Sequence, residues 1–169
     1  MRNFVVLGFL LLAFSLAGFA QHGRTNAPGG EVYVGYSLLN GDTLDTASGF
    51  ELGLTGNVND WLGLTADFSG NFTSDSDSHE YNVLFGPQIT HRMDRLSLFG
   101  HGLVGIAHFS AEGGIITDTS AGWVLGGGAD YKLRGHFAWR IAQLDYHGSH
   151  LFSSTQKDLR VFTGLVLRF

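Results

Sequence analysis

Leu62-Gly63-Leu64-Thr65-Ala66-Asp67-Phe68-Ser69 decides how this chain is read. Leu62, Leu64, Ala66 and Phe68 occupy every second position, and Gly63, Thr65, Asp67 and Ser69 fill the places between. Successive side chains of a β-strand point to opposite faces, so this period of two makes one face apolar and the other polar. The pattern predicts an amphipathic strand over about 61–71.

The same alternation recurs on both sides of that segment. About 31–39, Val32, Val34, Tyr36 and Leu38 oppose Tyr33, Gly35 and Ser37; about 49–58, Phe50, Leu52 and Leu54 oppose Glu51, Gly53, Thr55 and Asn57. About 79–90, Tyr81, Val83, Phe85 and Ile89 oppose Asn82, Gly86 and Gln88. Pro87 lacks an amide hydrogen and is expected near a strand end or a bulge. About 121–131, Trp123, Leu125, Ala129 and Tyr131 oppose Gly126, Gly128 and Asp130; about 158–169, Val161, Leu165, Leu167 and Phe169 oppose Arg160, Gly164 and Arg168. The segment about 96–109 is ambiguous: Phe99, Leu103 and Phe109 share a face with His101, and Val104 and Ile106 lie opposite. In the seventh segment Arg140 stands between Trp139 and Ile141, and Asp145 between Leu144 and Tyr146. Arg140 and Asp145 are an odd number of positions apart, so one strict period cannot place both on the polar face. An extra residue near Ala142 does, and predicts a β-bulge there.

The connections alternate in length. Short ones fall near 58–60, 91–95 and 132–136, and long ones near 40–48, 70–79, 110–120 and 147–158. Charge is sorted with them: Arg92, Arg95, Lys132 and Arg134 stand at short turns, and Asp42, Asp45, Asp75, Asp77, Glu112 and Asp118 in long loops. Four long loops, three short turns and both termini at the short-turn end make eight strands. Beyond the first twenty residues no apolar run is long enough for a spanning helix, which takes about twenty residues.

Composition narrows the functional classes. The net charge of −5, with charged residues at 15%, is no basis for binding nucleic acid, which needs clustered Lys and Arg. Gly contributes 25 residues and Pro only 2, a balance that places Gly inside regular structure. With no cysteine, disulfides and thiolate zinc sites are excluded. Met1-Arg2-Asn3, the apolar stretch Phe4–Ala17 and Gly18-Phe19-Ala20 have the layout of a secretory signal peptide over 1–20, followed by a flexible lead over 21–30 and a barrel domain over 31–169.

An exported chain of amphipathic strands fits a transmembrane barrel, because in a bilayer only helices and closed barrels satisfy every backbone group. Trp61, Tyr81, Phe109, Trp123, Tyr131, Trp139, Tyr146 and Phe169 lie toward strand ends, where such barrels carry aromatic girdles. The polar face then fills the interior with Glu51, Asp67, Asp130, Arg140, Asp145, Arg160 and Arg168, which must pair with one another. The alternative is a soluble ligand-binding β-barrel with its apolar face inward. A water-exposed face would carry more Lys and Glu than the Gly, Ser, Thr and Asn found here.

Val34-Gly35-Tyr36-Ser37, Gly56-Asn57-Val58, Ala66-Asp67-Phe68-Ser69-Gly70, Phe85-Gly86-Pro87, Gly126-Gly127-Gly128 with Asp130-Tyr131, and Arg140 with Gln143, Asp145 and Tyr146 follow one another along the chain. With the ending Leu165-Val166-Leu167-Arg168-Phe169, this order resembles the small outer-membrane β-barrel domain family, OmpA-barrel and OmpX-like. The resemblance implies an all-β, eight-stranded, antiparallel up-and-down transmembrane barrel with short periplasmic turns and long outer loops, in the outer membrane of a Gram-negative-type bacterium. It also implies Phe169 as the signal read by the barrel-assembly machinery. No peptidoglycan-binding domain follows the barrel, so an anchoring role is not implied.

The expected function is a structural or adhesion-type barrel, monomeric, non-catalytic and without cofactor, contacting outer-membrane lipid and meeting an extracellular partner through its loops. The alternatives are a lipid-modifying enzyme and a narrow pore. His147-Gly148-Ser149 with Asp158 faintly resembles the His-x-Ser pair of lipid A deacylases, but the following Asn-Ala is missing and the bulge turns His147 inward. His79, His91, His101, His108 and His136 fall in separate segments, and His147 with His150 lacks a third ligand, so no metal site is expected. Asp42 with Asp45 and Asp75 with Asp77 could bridge cations, although solvated loop charge explains them more simply.

Overall fold

The computed structural model describes residues 27–41, 46–73, 78–111, 116–151 and 154–169. The signal and most of the lead fall outside these, as do Asp42, Asp45, Asp75, Asp77 and Glu112. Eight strands follow in order: β1 Gly30–Gly41, β2 Thr46–Asn57, β3 Leu62–Phe72, β4 His79–Arg92, β5 Leu96–Ala111, β6 Ile116–Lys132, β7 Phe137–Leu151 and β8 Ser154–Arg168. Each pairs antiparallel with the next, and β1 closes on β8 from Glu31↔Arg168 to Gly41↔Asp158. Beyond that register, Gly30 and Phe169 exchange two amide–carbonyl bonds of 3.0 Å.

The short turns owe their shape to local chemistry. Asn59 Oδ1 accepts from the amides of Trp61 and Leu62 at 2.9 and 2.8 Å and folds the β2–β3 turn on itself. Gly135, at φ 63°, supplies the left-handed residue of the β6–β7 turn.

The strands run further at the long-loop end than the alternation predicts. β5 and β6 remain paired through Phe109↔Asp118 to Ala111↔Ile116, and β7 and β8 to Leu151↔Ser154. These stems were invisible to a hydrophobic pattern because Thr117, Asp118, Thr119 and Ser120 carry no apolar face there.

Along the wall the polarity is inside out. Leu64, Leu98, Val104, Leu125, Leu144, Leu165 and Leu167 are exposed, while Glu51, Asp67, Asp130, Arg140 and Arg160 are buried. Among the described residues, about twice as many buried side chains are polar as apolar. A soluble barrel would reverse this; a bilayer-spanning one requires it. Trp61, Tyr131, Phe137, Trp139 and Phe169 ring the short-turn end outside, and Phe50, Phe72, Tyr81, Trp123 and Tyr146 stand nearer the other end.

Two placements differ from expectation. Phe109 faces inward, where it packs with Leu39 and Ala47 across the lumen near the long-loop end. Its strand keeps strict parity with Phe99, His101 and Leu103, all of them inside. Pro87 sits in mid-strand and in register, at neither an end nor a bulge: β3 pairs Leu64 with it, while the ladder to β5 passes from Phe85↔Val104 to Gln88↔His101. Its missing amide thus falls on the β5 side alone. The bulge in β7 lies where parity requires it. Asp130 pairs with Arg140 and Ala129 with Ala142, so Arg140, Gln143 and Asp145 all point inward. Thr163 Oγ1 donates to the Arg140 carbonyl at 2.9 Å and accepts from the Trp139 indole N–H at 3.1 Å, bracing the irregular stretch.

A charge on this outer wall should be costly. Leu125→Arg is expected to lower folding stability in lipid vesicles by about 2–4 kcal/mol, read from urea titration of tryptophan emission. Unchanged stability would place Leu125 in water.

Candidate functional site: the filled lumen and the outer rim

The interior of an eight-stranded barrel is just wide enough for its side chains to fill or for one small ligand. What the inward positions carry therefore decides whether the lumen is a channel, a pocket or a packed core. At the short-turn mouth, Arg92 from β4 donates to Glu31 Oε1 at 2.7 Å, to Asn57 Oδ1 at 3.0 Å and to the Asp60 carbonyl at 2.7 Å. Arg168 from β8 reaches Asp130 Oδ2 at 3.2 Å and Glu31 Oε2 at 3.6 Å.

Above this mouth lies Arg140, fully buried. Its Nε and Nη2 donate to the two oxygens of Asp130 at 2.8 and 3.4 Å, and its Nη1 to Gln143 Oε1 at 2.7 Å. The guanidinium carbon stands 4.2 Å from the centroid of the Tyr33 ring and 4.0 Å from that of Phe99. A planar cation between two rings is held by cation–π attraction as well as by its carboxylate.

Arg160 forms the next layer. It meets Glu51 Oε2 at 3.2 Å, Asp67 Oδ1 at 3.4 Å, Asp145 Oδ2 at 2.7 Å and Ser69 Oγ at 2.8 Å. Gln143 Nε2 donates to Glu51 Oε1 and Asp145 Oδ2, both at 2.7 Å, and so joins this layer to Arg140. Tyr33 Oη donates to Asp67 Oδ2 at 2.8 Å, and His101 Nε2 lies 2.9 Å from Asp145 Oδ1. Two glycines make the space: a Cβ at Gly53 would overlap the Tyr33 ring, and one at Gly126 the Asp145 carboxylate. Burying this many charges is tolerable only because each layer supplies opposite charge and hydrogen bonds together.

Glu51, Asp67, Asp130, Arg140, Asp145 and Arg160 thus meet in one connected set contributed by β2, β3, β6, β7 and β8. Glu31, Glu80 and Asp158 are buried as well and were not assigned to the interior from sequence, although the inward parity of their strands includes them. Toward the long-loop end Ser37 Oγ donates to Asn71 Oδ1 at 2.9 Å, Asn82 Nδ2 donates to Glu80 Oε1 at 2.9 Å, and His147 Nδ1 lies 3.7 Å from the same Glu80 oxygen. The apolar contact of Leu39, Ala47 and Phe109 lies beyond.

The other chemical candidates are scattered. His147 is buried in the lumen, and the Ser149 and His150 side chains lie outside the described set. His91, His108 and His136 are exposed at separate places, and His79 rests against the Tyr81 ring on the wall. Among the described residues no group of three or more His, Asp or Glu is arranged to hold a metal ion. Outside, β5 and β6 carry His108, Thr117 and Thr119 beyond the girdle residue Trp123; His108 Nδ1 and Thr119 Oγ1 are hydrogen-bonded at 2.6 Å.

Comparison with known proteins gives one family. The outer membrane protein beta-barrel domain model matches residues 9–169. Similar solved structures include Ail, the attachment invasion locus protein of Yersinia pestis, at 23% identity over 84% of this chain and 99% of that one, TM-score 0.57. Ail was also solved with the heparin analogue sucrose octasulfate. Neisserial surface protein A is 14% identical over 85% of this chain and 99% of that one, TM-score 0.66. OprG from Pseudomonas aeruginosa is 11% identical over 88% and 99%, TM-score 0.58. These identities establish a shared fold. No curated protein sequence matches the chain.

If the Arg140 layer carries stability, breaking it from one side should be expensive. Arg140→Ala is expected to cost about 3–5 kcal/mol of unfolding free energy. Arg140→Ala combined with Asp130→Ala should cost less than the sum of the single changes, because neither charge is then left alone. Urea titration of the refolded barrel measures both; wild-type stability of Arg140→Ala would show that the pair bears no load.

Proposed function

The chain belongs to the outer membrane protein beta-barrel domain family, and on that footing we propose that it is a non-catalytic recognition barrel, presenting its outer rim to an extracellular partner. It lies in the outer membrane, with its short turns toward the periplasm and its long connections outside. Residues 1–20 act in this reading as the export signal, removed before assembly.

The β5–β6 hairpin carries the proposal. β5 has 16 residues and β6 has 17, whereas a strand crosses a bilayer in about 9–11. The surplus lies outside, still paired from Ala107↔Ser120 to Ala111↔Ile116. Its outward residues His108, Thr117 and Thr119 are exposed and polar. A paired stem is a rigid scaffold, and a rigid scaffold lowers the ordering cost of binding.

The lumen supports a non-catalytic reading. His147, the base of the His147-Gly148-Ser149 stretch, lies inside the wall, away from any lipid substrate. A narrow pore is disfavoured by the Arg140 and Arg160 layers and by the apolar contact of Leu39, Ala47 and Phe109. The closed β1–β8 ladder leaves no free edge for strand-wise oligomerisation, so the barrel acts as a monomer.

Charge selects the partner. The outer segments carry Asp42, Asp45, Asp75, Asp77, Glu112 and Asp118 against Lys157. A sulfated ligand such as the one bound to Ail would be repelled here; a basic or neutral protein surface fits. Cells displaying the protein should adhere to surfaces coated with basic protein but not to heparin, with adhesion falling as salt rises and on combined Thr117→Ala, Thr119→Ala and His108→Ala. Capture by heparin would overturn the charge argument. In the same cells the lipid A acyl-chain number, read by mass spectrometry, should be unchanged.

A further inference from the structure

Most of the glycines in this wall are packed tightly. A Cβ at Gly35, Gly86, Gly105, Gly127 or Gly164 would run into the backbone of a neighbouring strand. Gly100 and Gly102 on β5 are different. A Cβ at Gly100 would come no nearer than 3.6 Å to the Gly126 carbonyl oxygen, and one at Gly102 no nearer than 4.0 Å to Leu125 Cδ1. The protein itself therefore has room for side chains at both positions. Both lie on the outward parity of β5, between exposed Leu98 and Val104.

Their missing side chains open a dent in the lipid-facing wall. It has a volume of about 510 Å³ and is bordered by Pro87 and Ile89 on β4, Leu98 on β5 and Leu125 on β6. Pro87 contributes only its flat ring, in the stretch of β4 where the ladder to β5 is interrupted. The dent lies in the periplasmic half of the wall and runs down toward His91, which pairs with Leu98 just above the β4–β5 turn.

Cations stand beyond its lower end: Arg95 is three positions along the chain from Leu98, which lines the dent. Arg95 is exposed in that turn, and its Nη1 lies 3.5 Å from the Tyr131 hydroxyl. The Arg95 carbonyl accepts from the Lys132 amide at 2.7 Å, which places exposed Lys132 alongside. Neither cation has an ion pair among the described residues; Arg92, in the same turn, is already committed to Glu31. Arg134 follows in the next turn, and Asp94 is the acid that opposes them.

We propose that this dent and the basic turn below it form a seat for one anionic glycerophospholipid of the periplasmic leaflet, an acyl chain lying over Gly100 and Gly102 and the headgroup phosphate at Arg95, Lys132 and the Tyr131 hydroxyl. The dent runs toward the turn that carries Arg95, within the reach of one lipid's chain and headgroup, and the surface is turned to lipid. Arginine matches phosphate geometry with paired donors, and a juxtamembrane cation near an anionic leaflet favours binding about fivefold.

The test uses the folded full barrel in detergent micelles, analysed by native mass spectrometry with equal amounts of dimyristoyl phosphatidylglycerol and dimyristoyl phosphatidylcholine. One phosphatidylglycerol should be retained in preference to phosphatidylcholine. Arg95→Gln should lower that preference about fivefold. Gly102→Leu fills the dent and should lower occupancy by both lipids, with heat-modifiable gel mobility confirming that the barrel still closes; Gly100→Leu is the second filling variant. Inorganic phosphate at the lipid's concentration should not displace the adduct. Equal retention of the two lipids in wild type, retention unaffected by both filling variants, or displacement by phosphate alone would each overturn the proposal.

Discussion

Backbone amides inside a bilayer have no water to bond to, so a sheet there must end on itself. The β1–β8 ladder meets that constraint, and the arrangement of the side chains follows from it. Once the sheet is closed, each strand has one side toward lipid and one toward a lumen too narrow for bulk solvent. Every inward charge must then be answered by another inward group. Arg140 between Asp130, Tyr33 and Phe99, and Arg160 among Glu51, Asp67 and Asp145, are the form that answer takes. Glycine at 53 and 126 is the space it needs.

The wall was legible because lipid enforces a strict period. Leu62, Leu64, Ala66 and Phe68 leave no choice of face, and the odd offset between Arg140 and Asp145 by itself requires the bulge between them. The ends were less legible. Above the girdle the outward face no longer meets lipid, so Thr117 and Thr119 stand there as exposed polar residues and β6 has no hydrophobic period to announce it. Phe109 looked like a girdle residue because aromatic character does not report direction; only the unbroken parity from Phe99 does. Pro87 looked like a strand end because its missing amide is costly in a central strand. That cost falls on one ladder only, beside a glycine-rich part of β5.

The filled lumen is in part legible for the same reason. Parity gave Glu51, Asp67, Asp130, Arg140, Asp145 and Arg160, and would equally have given Glu31, Glu80 and Asp158. Which carboxylate each arginine chooses was not readable. Arg140 takes Asp130 on the adjacent strand, while Arg160 reaches across to Glu51 and Asp67. That choice depends on side-chain reach over a lumen whose diameter the sequence does not state.

The small apolar contact of Leu39, Ala47 and Phe109 has a consequence for how such a surface can evolve. It packs apolar side chains of β1, β2 and β5 together inside the barrel near the long-loop end, apart from the charged layers below. On the recognition reading, substitutions and length changes beyond Gly41, Ala111 and Leu151 would alter what the barrel meets without disturbing the buried charges below. Selection by a partner of the proposed kind and selection for a closed, filled wall would then act on different residues, leaving the rim to diverge while the wall stays fixed.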